Sequence, residues 1–523
     1  MSVEKCSIRL LMCVVLLITV DQVVAEKNYS PGVGRNFPNN VFWGDTHLHT
    51  RLSVDSYLRG NKVLTSEDAY QFAMGNTVTT HNGRHVKLSR ALDFLVIADH
   101  AEDLGIMLDI GEPNSQLMRT AIGKKIFDLY SDAPEISDEI WSLMAELNGN
   151  SPKFKKSTWE GVVNDADKFN RPGVFTTFSG FEWSSNPGAN YDNLHRVVIF
   201  KDNAEKVTQV VPYSSSESED PEDLWRYLTR YQRTTGGDAI AIPHNSNVSN
   251  GRMFSPVNFQ GQPINLSYAK QRSRWEPLME VTQIKGDSET HPVVSPGDEF
   301  ADYETWSSWD GRTVDISKQK QTDSFKPFEY ARPALKLGLA QQAMIGGNPF
   351  KFGMIGSTDA HTSLATADDN NFWGKNTKDE PTLDRVLKPI MGDVFPHLLN
   401  WESAASGYAA VWAQENTRES LFAAMKRKEV YASTGPRITL RFFGGWDYQP
   451  DDAVSPDLAS IGYSKGVPMG GDLVHAAEGV SPSFLIRAIK DPDGANLDRV
   501  QVIKGWHDSS GHLHEKIYNV ALS

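Results

Sequence analysis

The chain has 523 residues, a formal net charge of −14 and 39% hydrophobic residues. That length allows one large domain with a substantial buried core plus a smaller one, and the composition excludes a disordered or fibrous protein. The acidic balance argues against a nucleic-acid backbone as the main partner, because phosphate-backbone binding wants clustered Lys and Arg; a small anionic substrate needs only local positive charge or metal ions.

Residues 1–25 read as a secretory signal peptide. Lys5 and Arg9 form a positive start, Leu10–Val20 is an apolar run too short to span a bilayer comfortably, and Val23–Ala25 is a small-residue cleavage site. Export to a bacterial periplasm or beyond is expected, with no membrane association after cleavage. Both cysteines, Cys6 and Cys13, lie in this segment. The mature chain is therefore expected to form no disulfide and to use no thiolate as nucleophile or metal ligand.

Taken in order, the first strand closes on His47 and His49 in "WGDTHLHT", with Asp55 following in "RLSVDSYL". A helix is expected over Thr65–Gly75. The apolar run Leu92–Ala98 reads as a strand ending in Asp99 and His100. Val174–Phe181 reads as another, ending in Glu182, and Leu194–Phe200 carries His195 at its start. Asp220 and Pro221 supply a cap and a first helical residue before "LWRYLTRY". Strands follow at Ala239–Pro243, ending in His244, at Leu278–Ile284, carrying Glu280, and at Phe352–Gly356, leading to Asp359 and His361 in "STDAH". Ala331–Gly346 and Thr417–Lys428 read as helices. Runs that are apolar at every position suit parallel strands covered on both faces, so the alternation predicts an α/β barrel or a doubly wound sheet. Residues 245–276, 286–330 and 362–400 read as long insertions at strand ends. Beyond Gly435-Pro436 the texture turns β-rich, giving expected domains over 26–436 and 437–523, the second ending on "EKIYNVALS" without a closing turn.

Six of the 14 histidines thus fall at strand ends, each beside an acid or another histidine. A lone histidine in such a place is usually a hydrogen-bonded packing residue. Packing gives no reason for histidines to recur at one end of successive strands. Imidazole and carboxylate donors without thiolate suit Zn²⁺, Mn²⁺ or Fe²⁺, and the set exceeds the needs of one tetrahedral ion. Two or three divalent ions with a bridging carboxylate are expected. Arg196, Lys285, Arg332 and Arg437 are candidates for holding anionic substrate oxygens, Arg196 foremost because it follows His195 directly. Glu280 and Glu289 lie near a strand end, Glu289 more simply as a solvated loop acid. Trp43 and Trp183 read mainly as packing residues. His397, His475, His507, His512 and His514 read as surface residues, and His81, His85 and His291 as loop residues.

The ordered set "DTHLHT", "IADHAE", "SGFEW", "LHRVV", "IPHN" and "STDAH" resembles the PHP (polymerase and histidinol phosphatase) superfamily of metal-dependent phosphoesterases. With "VFWGDTHLHT" and "EVYASTGPRI", the chain is similar to the branch catalogued as domain of unknown function 3604. The resemblance implies a distorted (β/α)₇ TIM-like barrel with long insertions and a small C-terminal β-rich domain. It implies a first metal on His47, His49, Glu182 and Asp359, and a second on Glu182, His195 and His244. A third would lie on Asp55, His100 and His361, with Asp45 and Asp99 orienting imidazoles. The implied activity is hydrolysis of a small phosphate mono- or diester by a metal-bridging hydroxide; the catalytic set is expected to be Glu182, Asp359 and His100, with Arg196 added for its place beside His195. Alternatives are hydrolysis of another ester or amide, such as a sulfate ester, or metal or ligand binding without turnover.

Overall fold

A computed structural model of the protein describes residues 36–132, 137–188, 192–306, 323–390, 399–402, 406–474, 476 and 478–523. The expected signal peptide, His397, His475 and parts of the last two insertions lie outside the described residues. No helix among the described residues is long and apolar enough to cross a membrane.

The expected strands form, with small shifts at their ends. They are β1 (Asn40–Leu48), β2 (Phe94–Ile97), β3 (Thr176–Trp183), β4 (Arg196–Phe200), β5 (Ala239–Pro243), β6 (Leu278–Gln283) and β7 (Gly353–Gly356). Two more, β8 (Tyr408–Ala413) and β9 (Val430–Ser433), were not expected as strands of this sheet. "YAAVWA" is half alanine, which weakens its β signal, and "VYAS" is only four residues long. The main sheet is a curled seven-stranded one in the order β9-β8-β1-β2-β3-β4-β5. β1, β2 and β3 are parallel, whereas β4 runs antiparallel to both neighbours and β8 antiparallel to β1 and β9. The uniform parallel arrangement is thus corrected to a mixed α/β sheet. The cause for β4 is its connection from β3, only twelve residues long and without a helix among its described residues, too short to return the chain in parallel. β6 and β7 pair in parallel in a second sheet, with the short strand Gly286–Asp287. β6 lies beside β5 and β7 beside β9.

One apolar cluster draws on the strands of both sheets: Phe94 and Val96, Phe178, Val197 and Ile199, Ile240 and Ile242, Leu278, Ile355, Ala409 and Val411. The helix Arg418–Lys426 adds Leu421, Phe422 and Met425 to it. The alternate residues face outward. Val198, Phe200, Ala239 and Ala241 pack with Leu224, Trp225 and Tyr231 of the helix Pro221–Thr235. Leu95 and Ile97 pack with Tyr70 and Phe72 of the helix Ser66–Ala73. That second helix begins on a Thr65–Asp68 capping box, as its sequence suggests. Both faces of the strands are therefore covered, which explains their unbroken apolar runs.

β1 breaks the alternation. Its register against β2 shifts between Asp45 and Leu48, a β-bulge. Trp43 before the shift and Leu48 after it belong to the same outward cluster, although they are an odd number of residues apart. The bulge has switched the faces, so His47 and His49 turn inward. Beyond residue 436, β10 (Thr439–Gly445) pairs with β11 (Gly466–Pro468) and β12 (Ser483–Ile489), and β13 (Arg499–His507) forms a hairpin with β14 (Leu513–Leu522). Two helices there, Pro450–Val454 and Leu458–Lys465, were not expected from the β-rich texture. Residues Phe37–Ser523 cluster as one compact unit.

The approach of β1 to β2 needs glycine at one position. A Cβ on Gly44 would lie 2.5 Å from the Phe94 carbonyl oxygen and as close to its ring. Gly44→Ala is expected to destabilise the protein by about 1–3 kcal/mol through overpacking, read as a lower thermal midpoint.

Candidate metal centre

Strand parity delivers the polar cluster. His100 continues the inward series Phe94, Val96 and Ala98; Glu182 continues Phe178 and Gly180; His244 continues Ile240 and Ile242. His195 precedes its strand instead of following it. Because β4 is antiparallel, its start lies at the same end as the finish of β3 and β5. Asp359 has φ of 51°, a left-handed conformation uncommon outside glycine, and its N–H donates to the His47 carbonyl at 2.8 Å. His49 N–H donates to the Ala360 carbonyl at 2.9 Å, so the "STDAH" segment is tied to the end of β1.

Glu182 is the hub. Its Oε1 lies 2.7 Å from His195 Nδ1 and 2.7 Å from His244 Nε2. Its Oε2 lies 3.0 Å from His100 Nδ1, 3.2 Å from His49 Nε2 and 3.5 Å from His47 Nε2. The two imidazoles His47 and His49 approach each other Nε2 to Nε2 at 3.1 Å, and lie 3.6 and 3.4 Å from Asp359 Oδ1. Asp55 sits on the first turn of the helix Val54–Leu58, not in a loop; its carboxylate is 2.9 Å from His361 Nε2 and 3.4 Å from His100 Nε2. All nine expected ligands therefore converge. His47, His49 and Asp359, His47, Glu182 and His244, and His49, His100 and His361 each have donor atoms close enough to hold one metal ion.

The residues fit metal ions by a geometric test. Bonds of about 2.1 Å in a tetrahedron place donor atoms roughly 3.4 Å apart. The five separations given above among His47 Nε2, His49 Nε2, Glu182 Oε2 and Asp359 Oδ1 run from 3.1 to 3.6 Å. Glu182 Oε2 is moreover buried and has no well-formed hydrogen bond, although imidazole nitrogens surround it. A buried anionic oxygen left in that state is costly without a cation.

Charge follows the same layout. Burial raises the carboxyls of Glu182 and Asp359, but His100, His244 and His195 around the first, and Lys285, Lys375 and His47 around the second, outweigh it and hold both well below the usual range. Burial pushes His195 and His244 down to about 4, keeping them neutral, the form that binds metal. Burial also opposes charge on His47, yet Glu280 and Asp359 raise it to about 10.

Several expected roles change. Asp45 orients no imidazole: it accepts from the N–H groups of His47 (2.9 Å) and Thr358 (3.1 Å) and from the Thr358 hydroxyl. Asp99 acts on His49 only through Ser53, whose hydroxyl donates to Asp99 (2.7 Å) and lies 2.8 Å from His49 Nδ1. The acid that does hold an imidazole is Glu280, 3.1 Å from His47 Nδ1. β6 has its own bulge beside Glu280, which ordinary alternation would not reveal. Arg196 leaves the site altogether. Neighbouring His195 takes the inward direction, and the Arg196 guanidinium donates to Glu276 at 2.9 Å and to the Leu194 carbonyl. Arg332 is engaged with Asp298 and Glu515, and Arg437 with the carbonyls of Arg90 and Ala91. Glu289 lies 3.6 Å from Arg332, and Trp43 and Trp183 pack in apolar clusters. Lys285 is at the site, on Asp359 Oδ2. Lys375, which no sequence pattern marks, joins it from the 362–400 insertion.

The fold and site define a mixed α/β protein with a buried His/Glu/Asp cluster that could hold metal ions. Residues 36–523 match the family described as "Protein of unknown function (DUF3604)", and the chain belongs to that family. None of the curated proteins matches it. Among solved structures, a two-domain protein from Bacteroides vulgatus ATCC 8482, described as containing a predicted PHP-like metal-dependent phosphoesterase, aligns at 9% identity over 89% of this chain and 93% of that one. Its TM-score of 0.29 is too low to carry fold or function across.

Two outcomes follow from the side-chain partners. Glu280→Gln, which loosens His47, is expected to weaken metal affinity roughly 10–100-fold in a competition titration with a chelator. Arg196→Met is expected to leave metal content unchanged while costing about 1–3 kcal/mol in denaturant unfolding, because buried Glu276 loses one of its two cationic partners and keeps Arg272.

Proposed function

We propose that this protein is an exported metal-dependent hydrolase of small phosphate esters, built on a PHP-type barrel in which the second sheet completes the curl of the first. The observation that carries the reading is the donor set around Glu182: nitrogen and oxygen atoms from six strand ends at metal-ligand separations, with no thiolate among them. Such donors suit Zn²⁺, Mn²⁺ or Fe²⁺. When bound, two or three such ions would supply a nucleophile from water near neutral pH and offset charge on the phosphoryl oxygens.

The chain's own residues prepare the site. Glu280 and Ser53 occupy the Nδ1 edges of His47 and His49, so both Nε2 atoms are free to point inward. Asn186 lies 3.0 Å from His195 Nε2, which turns the Nδ1 edge of that ring toward Glu182. Ser184 lies 2.5 Å from His100 Nδ1, the nitrogen that also faces Glu182 Oε2, while His100 Nε2 faces Asp55. Glu182 divides its two oxygens between opposite sides of the cluster, the arrangement a bridging carboxylate requires. Asp55 and His100 are the more exposed members and form the side open to substrate. Residues 1–25 would direct export.

Metal analysis of the purified full chain is expected to find two or three divalent ions per molecule. Glu182→Gln is expected to reduce that to one or none and to abolish hydrolysis of phosphate esters. A wild-type protein that retains no metal, or a variant that keeps full turnover, contradicts this reading. Chelation is expected to lower the thermal midpoint, since ions bound only by the folded state stabilise it by mass action.

A further inference from the structure

Two lysines close on a single carboxylate in this site. Lys285 contacts Asp359 Oδ2, while Lys375 Nζ lies 2.8 Å from Asp359 Oδ1, 2.8 Å from the Asp359 carbonyl and 2.9 Å from His361 Nδ1. Both are buried, and each lies in the other's field. Their backbones are pinned. The Lys285 N–H donates to Gln283 Oε1 at 2.5 Å and its carbonyl accepts from Asn247 at 3.1 Å; the Lys375 carbonyl accepts from the His361 N–H at 2.7 Å. Neither is a surface lysine that happens to lean inward.

Two like charges brought together in a buried place need anions beside them, and those the chain offers, Asp359 with Glu182 and Asp55 in reach, are all expected metal ligands. Asp359 Oδ1 also faces His47 and His49, so any cation held there draws its charge away from the lysines. Ions held by these carboxylates would leave the two lysines short of counter-charge, which an anionic substrate can supply. We infer that Lys285 and Lys375 form an anion clamp that selects substrates ending in a dianionic phosphate, so that the protein acts on phosphate monoesters in preference to diesters or sulfate monoesters. This rests on the metallohydrolase reading and narrows it. A phosphate monoester carries close to two negative charges near neutral pH. A diester or a sulfate monoester carries one and would leave an ammonium without a counter-charge. The clamp lies next to the open side of the cluster: the Lys285 side chain is 10% exposed, and those of His100 and Asp55 are 18% and 33% exposed.

The test uses the full chain loaded with Mn²⁺ or Zn²⁺, with p-nitrophenyl phosphate, bis(p-nitrophenyl) phosphate and p-nitrophenyl sulfate as substrates and inorganic phosphate as a calorimetric probe. The expected kcat/KM for the monoester exceeds that for the other two by at least tenfold. Lys375→Gln and Lys285→Gln should each weaken inorganic phosphate binding and monoester kcat/KM at least tenfold. Diester kcat/KM should fall less, with metal content unchanged. Lys375→Arg should keep most of the phosphate affinity. A loaded wild-type protein that prefers the diester or sulfate ester, or fails to bind phosphate, overturns the clamp alone; so do loaded variants with an unchanged monoester-to-diester ratio. Absence of bound metal in the wild type overturns the underlying reading instead. If one lysine variant does not fold, the other variant and the wild-type ratio still decide.

Discussion

A buried carboxylate surrounded by imidazoles sets the terms for the rest of this structure. Glu182 has His195 and His244 at one oxygen and His100, His49 and His47 at the other. Those rings are too close to one another for all to carry protons, and burial already keeps two of them neutral. Neutral imidazoles cannot fully balance a buried anion. A cation among these atoms, an imidazolium at His47 or His100 or a metal ion, offsets that charge, and the separations between donor atoms suit a metal ion.

The scaffold meets the requirement through strand parity. In β2, β3 and β5 the inward apolar series runs without interruption into a polar residue at the strand end. The same alternation that packs the interior thus fixes the ligand directions, and no loop has to fold independently to aim them. β1 is the exception. Trp43 and Leu48 both face outward, so strict alternation from Trp43 would have sent His47 and His49 away from Glu182. The bulge between Asp45 and Leu48 corrects this, at the strand that carries two candidate ligands.

The charged residues divide sharply by face. Arg196 stands one position from a cluster histidine, and for that reason points the other way, into a buried network with Glu276 and Arg272. Adjacency in sequence is a poor guide to adjacency at a site when the element is a strand. Lys375 is the converse. It comes from an insertion with no periodic pattern and reaches Asp359 because the chain around it pairs with His361. Glu280 belongs with it: a bulge, invisible in composition, determines that it meets His47.

By itself the sequence determined the strands that bury both faces, the helix caps at Thr65 and Asp220, and the identity of nine residues, Glu182 among them, that converge in one cluster. These are local properties: apolar runs, capping side chains, and rare histidines repeated at strand ends. The tertiary structure decided the antiparallel direction of β4, the insertion of β8 beside β1, the partners of Asp45, Asp99 and Arg196, and the two lysines on Asp359. Each of these depends on contacts between segments far apart in the chain, or on a one-residue shift in register. Such a shift changes no residue type and exchanges the faces on which side chains lie.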